Sequence, residues 1–198
     1  MKQIFVLALV FAIGLCCAVS DWRENTADAG SEASQITSAM TVLCWFDALP
    51  ANDTLSYTEI QIKDYPSISF KSNGWGIYIE YKEDGVSKSK TLLGGMPVWN
   101  AYFVDLNGDG YAELCATVSY GSGLIDEHIV VCDLIKDETY TLWERGEYDY
   151  ILVKENGQLF VQKSKYGANR WPLTSKETIK AENGILAITD GTLVFMPV

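Results

Sequence analysis

The sequence predicts an all-β fold, an antiparallel meander that forms a sandwich, a barrel or a propeller-like domain. Apolar residues alternate with a period of two through most of the chain after Leu55, which is typical of half-buried strands. Turn signals rich in Gly, Asn and Asp recur roughly every eight to twelve residues. Tyr, Trp, Val, Ile and Thr are common, whereas proline is sparse, with 5 in 198 residues. The pattern alone does not distinguish among the three architectures.

The predicted strands follow the alternation from one turn signal to the next. Asp84-Gly85, Glu155-Asn156-Gly157 and Asp190-Gly191 are expected to close three hairpins, because Asp-Gly and Asn-Gly adopt the backbone that tight hairpin turns need. The Gly121-Ser122-Gly123 run marks a further bend. In chain order the predicted strands are residues 57–62, 68–71, 75–81, 86–93, 99–104, 114–120, 128–134, 139–143, 148–154 and 158–163, with two short strands within 184–195.

One segment has helical periodicity instead. Ile36, Met40, Leu43 and Phe46 fall on one face if residues 34–46 are wound as a helix. This spacing predicts a short amphipathic helix near the N-terminus.

The first 20 residues resemble an export signal in their charge and hydropathy. Lys2 gives a positive start, residues 4–15 are apolar, and Ala18-Val19-Ser20 offers a small-residue cleavage site. Cys16 and Cys17 end the apolar run, where a bacterial lipoprotein would carry its acylated cysteine. Plain secretion and lipid anchoring to a membrane therefore both remain open, and either predicts an extracytoplasmic location.

Domain organisation follows from composition. Residues 21–40 are small, polar and acidic, which predicts a flexible spacer. Residues 41–198 are of ordinary size for a single β-rich domain. The formal net charge of −11 argues against nucleic-acid binding, since phosphate neutralisation needs clustered Lys and Arg. The same charge suits cation binding.

Three cysteines follow the predicted signal: Cys44, Cys115 and Cys132. Their odd number and the lack of a C-x-x-C pattern exclude a zinc ribbon. Cys115 and Cys132 lie on strands that are expected to pair, so they either form a cross-strand disulfide or remain buried thiols. Buried thiols are the favoured interpretation.

The segment 105–113 carries the clearest site chemistry. Oxygen-bearing side chains alternate in it, and Gly110 permits a sharp turn. A calcium ion takes six to eight oxygen ligands in flexible geometry, and the absence of His and Cys disfavours a transition metal. The predicted calcium ligands are Asp105, Asn107, Asp109, the backbone carbonyl of Tyr111, and Glu113.

An EF-hand and a plain β-turn are the two alternatives to this calcium loop. An EF-hand would place a bidentate Glu where Ala116 stands and would have helical flanks, but both flanks here are predicted strands. A plain β-turn explains Asn107-Gly108-Asp109-Gly110 without any metal. Three alternating acceptors followed by Glu113 exceed what a turn needs, so calcium is favoured.

The loop resembles the D-x-N-G-D-G-x-x-D/E-L repeats of the VCBS/FG-GAP class, in which a calcium loop joins β-strands. A longer run, Gly95 to Gly110 followed by Glu113 to Gly123, resembles an extracytoplasmic domain of Firmicutes. That domain occurs in small secreted proteins and lipoproteins, and also attached to antirepressor peptidases related to β-lactam sensors. Because this sequence has no H-E-x-x-H, the resemblance implies the domain and not the peptidase activity.

Other residue types suggest no second site. His128 is the only histidine and is expected at the surface rather than in an acid–base site. Trp75, Trp99, Trp143 and Trp171 are expected in the core rather than along a sugar- or peptide-binding groove. The sequence thus predicts a non-enzymatic module, with calcium and a cell-surface or small-molecule ligand as partners. The alternatives are a secreted hydrolase that uses carboxylates and a metal-free structural domain.

Overall fold

The computed structural model describes residues 41–47, 58–94, 97–121, 124–167 and 181–198. These ranges contain strands and no helix, which confirms the all-β prediction. Within them no helix is long and apolar enough to cross a membrane. The predicted export signal, the spacer and Trp171 lie outside the described residues. The strands are β1 Leu43–Asp47, β2 Thr58–Ile60, β3 Ile68–Ser72, β4 Gly76–Glu83, β5 Val86–Gly94, β6 Val98–Val104, β7 Glu113–Tyr120, β8 Asp126–Asp133, β9 Glu138–Leu142, β10 Tyr148–Glu155, β11 Gln158–Lys165, β12 Glu182–Thr189 and β13 Thr192–Pro197.

The strands form three open sheets in a sandwich-like arrangement. A central sheet has the order β1-β6-β7-β8-β9, an N-terminal sheet the order β2-β3-β4-β5, and a C-terminal sheet the order β10-β11-β12-β13. Chain neighbours pair antiparallel in each sheet, so the predicted meander is present three times. Strand β1 is the exception, because it pairs with β6 and forms one edge of the central sheet.

The central sheet is buried on both faces, and alternation along its strands supplies two apolar layers. In β6, Ala101 and Phe103 pack with Phe70 and Ile77 of the N-terminal sheet. Tyr102 and Val104, which alternate with them along β6, belong to a second layer with residues of the C-terminal sheet such as Leu152. Since successive side chains of a strand point to opposite faces, one strand serves both layers.

A polar seam also joins the central and C-terminal sheets. Asn100 Nδ2 donates to the carbonyl of Leu152 over 2.8 Å, and the Leu152 amide donates to Thr117 Oγ1 over 2.9 Å. Side chains of the central sheet thus satisfy both backbone groups of a buried strand residue, which an apolar interface would leave unpaired.

The predicted N-terminal helix is wrong over residues 43–46. Leu43 and Cys44 instead pair with Phe103 and Tyr102 of the buried strand β6. A short apolar run has no periodicity that separates helix from strand, and an available edge of a buried sheet decides in favour of pairing. Residues 34–40 of that prediction lie outside the described residues.

Cys115 and Cys132 are buried free thiols, which confirms the favoured prediction. Cys115 pairs with Val131, whereas Cys132 pairs with Leu114, so the two sulfurs point to opposite faces of the central sheet. This one-residue offset puts them in different apolar layers and excludes the cross-strand disulfide.

Two further predictions about single residues need correction. His128 is buried, with 6% of its surface exposed, instead of lying at the surface. Its strand packs it against the Trp143 ring, with 4.8 Å between ring centroids. Trp99 is buried as expected, but Trp75 is 55% exposed, because it lies in the bend before β4.

Candidate metal centre

Residues 105–112 form the loop between β6 and β7, adjacent strands of the central sheet. Val104 pairs with Glu113 at its base, so the last residue of one strand and the first of the next hold both ends. Gly108 and Gly110 have φ of 75° and 90°, in the left-handed region that glycine enters without steric cost. The loop can therefore curl its side chains inward.

Three of the predicted ligands converge. Asp105, Asp109 and Glu113 each offer a carboxylate oxygen, and these oxygens lie within 4.8 Å of one another. Like charges this close destabilise one another. A divalent cation between them would remove that repulsion and would be bound by oxygen ligands alone, as calcium prefers.

The Asp105 carboxylate also shapes the backbone of the loop. Its Oδ1 accepts hydrogen bonds from the amides of Gly108 at 2.7 Å and Asp109 at 3.2 Å, and its Oδ2 accepts from Gly110 at 2.9 Å. A plain turn without metal would have the same hydrogen bonds. They do not exclude a cation, since Oδ2 accepts one hydrogen bond and keeps its second acceptor site free.

Asn107 links the loop to the neighbouring strands. Its Oδ1 accepts from the Asp109 amide at 2.9 Å, while its Nδ2 donates to Glu113 Oε1 at 2.6 Å and to Asp133 Oδ2 at 3.2 Å. The structure therefore brings Asn107 to the carboxylate group. Its oxygen keeps one acceptor site with which a cation could be bound.

Tyr111 is brought to the same loop through its backbone. Its amide donates to Asp109 Oδ1 at 2.9 Å. The ring is 44% exposed and lies 6.2 Å from the Tyr65 ring, centroid to centroid. Its carbonyl stays a predicted ligand.

Glu113 is the buried member of the group, with 2% exposure. Burial raises its pKa to about 7, a rise that the hydrogen bond from the Leu106 amide opposes and the charges of Asp133 and Asp109 reinforce. The Leu106 amide reaches Glu113 Oε2 at 2.6 Å. A carboxyl that titrates near neutral pH binds a cation only after losing its proton.

Three residues that contact the loop or Asn107 were not among the predicted site residues. Asp133, at the end of β8, accepts from Asn107. Burial pushes the pKa of Asp133 up, but its hydrogen bonds and ion pair with Lys136, at 3.0 Å, bring that pKa below its ordinary value. Asp64 accepts from the Ala112 amide at 3.2 Å, and the Tyr65 hydroxyl donates to the Ala112 carbonyl at 3.1 Å.

One of these residues had a sequence signal. Asp133 falls within the predicted strand 128–134, which follows the predicted strand 114–120 at the end of the loop. A hairpin between these two strands would have placed Asp133 beside Glu113. Asp64 and Tyr65 lie in the N-terminal sheet's β2–β3 connection, and no local pattern connects them to a loop over 40 positions away.

A cavity of about 480 Å³ lies beside the loop. Its wall includes Leu106, Asn107 and Gly108, together with aliphatic residues of the C-terminal sheet such as Ile185 and Leu186. The described lining contains no charged side chain. Its volume is in the range of small-molecule pockets, roughly 300 to 1,000 Å³.

No protein-family model, curated protein or solved structure matches the chain. The fold and the site together define an antiparallel β-protein of three stacked sheets with an acidic inter-strand loop.

Proposed function

We propose that the protein is an exported, non-enzymatic β-domain in which the β6–β7 loop binds calcium. The observation that carries the proposal is the convergence of Asp105, Asp109 and Glu113 carboxylate oxygens within 4.8 Å. The ligand set is hard oxygen without imidazole or thiolate, which suits calcium over zinc or copper. The resemblance of this loop to VCBS/FG-GAP repeats supports the same ion.

The ion would have a structural role. It would tie the end of β6 to the start of β7, and through Asn107 and Ala112 it would stiffen the contacts to Asp133 and Asp64. Because binding occurs only in the folded chain, calcium would stabilise the fold by mass action. Dissociation constants of 10⁻⁴ to 10⁻³ M are ordinary for extracellular calcium modules, so a weak site in an exported protein would still fill.

Titration calorimetry of the metal-free protein with calcium tests this proposal. We expect one site in the wild type and at least about tenfold weaker binding in Asp109→Asn, since one ligand charge is lost. Asp84→Asn is the matched control: it makes the same charge change in the β4–β5 turn, where Asp84 has positive φ. No calcium heat in the wild type, or equal loss in both variants, would overturn the proposal.

Recognition of a cell-surface or small-molecule ligand is the biological use that we propose for the domain. The uncharged, mainly aliphatic cavity beside the loop supports it, because Asn107 and Gly108 belong to the β6–β7 loop and also line the cavity. A neutral solvatochromic dye such as Nile red should bind the wild type and lose its signal in Ala187→Phe, which fills the cavity. Val86→Phe is the control, because it adds the same ring at an exposed position of β5. Equal dye binding in all three proteins would contradict the assignment.

Export and anchoring rest on the sequence. The positive start, apolar run and small-residue site of residues 1–20 support secretion, and Cys16 and Cys17 support a lipid anchor. Mass spectrometry of the protein from cell fractions separates the two: a chain that starts at Asp21 means release, and an acylated cysteine means anchoring. Full-length protein retained in the cytosol would contradict both.

A carboxylate hydrolase has weaker support. Glu127 and Asp149 have raised pKa values, as catalytic acids often do. Neither residue lines the two cavities that the structure describes, so substrate access to them has no support.

A further inference from the structure

A second group of carboxyl groups lies at the end of β8 opposite the metal loop. Asp126 and Glu127 begin the strand, whereas Asp133 ends it beside the loop. Glu127 and Asp133 are six positions apart along the strand, which is roughly 20 Å. Asp149 of β10 packs onto this end. All three of Asp126, Glu127 and Asp149 are buried, with exposures of 0%, 7% and 2%.

Glu127 and Asp149 are hydrogen-bonded to each other across the interface of the central and C-terminal sheets. The Glu127 amide donates to Asp149 Oδ1 at 3.1 Å, both side chains are buried, and the charge of Asp149 raises the pKa of Glu127. Two ionised carboxylates in one buried site repel each other, which favours keeping a proton on one of them.

A chain of hydrogen-bond donors from the central sheet holds the Glu127 carboxyl, and the bond from Ser119 offsets only part of the rise in its pKa. Ser119 Oγ donates to Glu127 Oε1 at 3.2 Å, and Trp99 Nε1 donates to Ser119 Oγ at 2.6 Å. Because Trp99 occupies the serine oxygen as an acceptor, the serine hydrogen is directed to Glu127. This chain of donors anchors one carboxyl on β7 and β6 while Asp149 comes from β10.

The surrounding charged groups do not neutralise the pair. Asp126 is held by Trp143 Nε1 at 3.0 Å and the Gly146 amide at 2.9 Å, and its charge raises the pKa of Glu127. Within the described ranges no Lys or Arg forms an ion pair with Glu127 or Asp149. The titratable neighbours by element are Asp126 and His128 on β8, Tyr120 on β7, Glu144, Arg145 and Glu147 before β10, Tyr148 and Tyr150 on β10, and Lys163 and Lys165 on β11.

Two of the cationic neighbours contact other groups. Lys163 pairs with Glu144 at 3.0 Å, and the Arg145 guanidinium lies over the Trp143 ring at 5.5 Å. Burial lowers the pKa of His128, which the charge of Asp126 only partly offsets, so the environment favours the neutral imidazole.

We propose that Glu127 and Asp149 share one proton and act as a pH-sensitive clasp between the central and C-terminal sheets. While the proton is held, the pair is a hydrogen-bonded contact beside the polar seam of Asn100, Thr117 and Leu152. Loss of the proton leaves two buried negative charges facing each other next to Asp126, and the two sheets loosen at this end.

The raised pKa of Glu127 determines how the stability of the protein changes with pH. Burial, and next the charge of Asp149, raise the pKa of Glu127 to about 8. The ordinary value in an unfolded chain is about 4.3. The stabilisation is therefore complete below the unfolded value, falls as pH rises above it, and is lost once pH passes about 8.

Unfolding of the full chain between pH 5.5 and 9 tests the clasp, with Glu127→Gln as the comparison. Glutamine keeps the shape of a protonated glutamate and can donate to Asp149 at every pH. Relative to this variant, the unfolding constant of the wild type should rise about tenfold per pH unit between the two pKa values. Parallel pH curves in the two proteins would overturn the proposal.

Two further measurements keep the test decisive if the variant fails to fold. Infrared spectra recorded in a Glu113→Gln background, which removes the carboxyl of the metal loop, should show a protonated carboxyl band at pH 7 that is gone at pH 9 and is absent when Asp149→Asn is added. Amide hydrogen exchange of the wild type should report the opening: after correction for the intrinsic exchange rate, the Leu152 amide should be less protected at pH 9 than at pH 7. A missing infrared band would contradict the shared proton, and unchanged Leu152 protection would contradict the clasp.

Discussion

Glu113 is the residue at which charge and burial conflict most directly within the metal loop. Its pKa of about 7 lies above the unfolded value. Without metal, the stability that this group contributes is complete at low pH and is lost as pH rises through about 7. A bound calcium ion would reverse the trend, because it binds the ionised form.

We therefore expect calcium affinity to rise between pH 6 and 8 in the wild type. Each pH unit below the pKa of about 7 should weaken binding about tenfold. Glu113→Gln should bind calcium weakly and with little pH dependence. Calorimetric titrations at pH 6, 7 and 8 measure both. A pH-independent affinity in the wild type would show that Glu113 is not a ligand.

The thiols give a prediction that does not depend on the metal. Burial raises the pKa of Cys132 to about 11 and that of Cys115 above its ordinary value. Because the thiolate is the reactive form, both should resist iodoacetamide at pH 8 until the protein unfolds, and Cys44, which is only half-buried, should react first. Peptide mass spectrometry after timed labelling checks the order. Prompt labelling of Cys115 or recovery of a Cys115–Cys132 disulfide would contradict the register.

Among the elements, the connections show which local features were predictable. The β4–β5 turn has positive φ at Asp84 and Gly85, as the Asp-Gly pair predicts, and Glu83 pairs with Val86. The β10–β11 and β12–β13 hairpins close in the same way around Asn156-Gly157 and Asp190-Gly191. These turns were predictable because the residues that decide them are adjacent in sequence.

Alanine should be tolerated differently at Gly121 and at Gly85, because only Gly121 lies close to other backbone atoms. A Cβ on Gly121 would lie 1.8 Å from the Leu124 carbonyl oxygen, whereas a Cβ on Gly85 meets nothing within 4 Å. Gly85→Ala should cost about 1–2 kcal/mol for left-handed backbone alone. Gly121→Ala should cost more than about 4 kcal/mol, because the backbone must move. Denaturant unfolding measures both, and equal losses would contradict the close approach at Gly121.

Contacts between elements that are distant along the chain could not be predicted from the sequence. The pairing of β1 with β6 turned a predicted helical segment into a strand, because an edge strand takes its partner from elsewhere in the chain. The metal loop itself was predictable from spacing, whereas Asp64 meets Ala112 only through packing of the N-terminal sheet. His128 is buried for the same reason: its partner Trp143 comes from beyond β9.

At the scale of the whole molecule, the central sheet supports two separate apolar layers. Phe103 is 1% exposed in one layer, and its ring lies 4.9 Å from the Phe70 ring. Phe103→Ala should destabilise the protein by about 3–5 kcal/mol. Val86→Ala, at a side chain that is 60% exposed, should change stability by less than about 0.5 kcal/mol. Denaturant unfolding measures both values. A small loss for Phe103→Ala would contradict the stacking of the N-terminal sheet on the central sheet.

The whole molecule also explains why the clasp was not visible in the sequence. Asp126 and Glu127 were evident as an acidic pair, but Asp149 reaches Glu127 only because β10 packs across β8 from another sheet. Antiparallel alternation specifies which residues are buried, and it does not specify which sheets stack on which. The three-sheet order is therefore a result of the structure alone.

Thermal unfolding with and without calcium tests the central claim most directly. At calcium concentrations 100 times the dissociation constant, the folded wild type should gain about 2.7 kcal/mol, seen as a rise in Tm. Magnesium should give a smaller rise, because it demands tighter octahedral geometry. The Asp105→Ala, Asp109→Ala double variant should show no rise. A wild-type Tm that does not move at millimolar calcium, or a double variant that gains as much as the wild type, would contradict a calcium-binding loop.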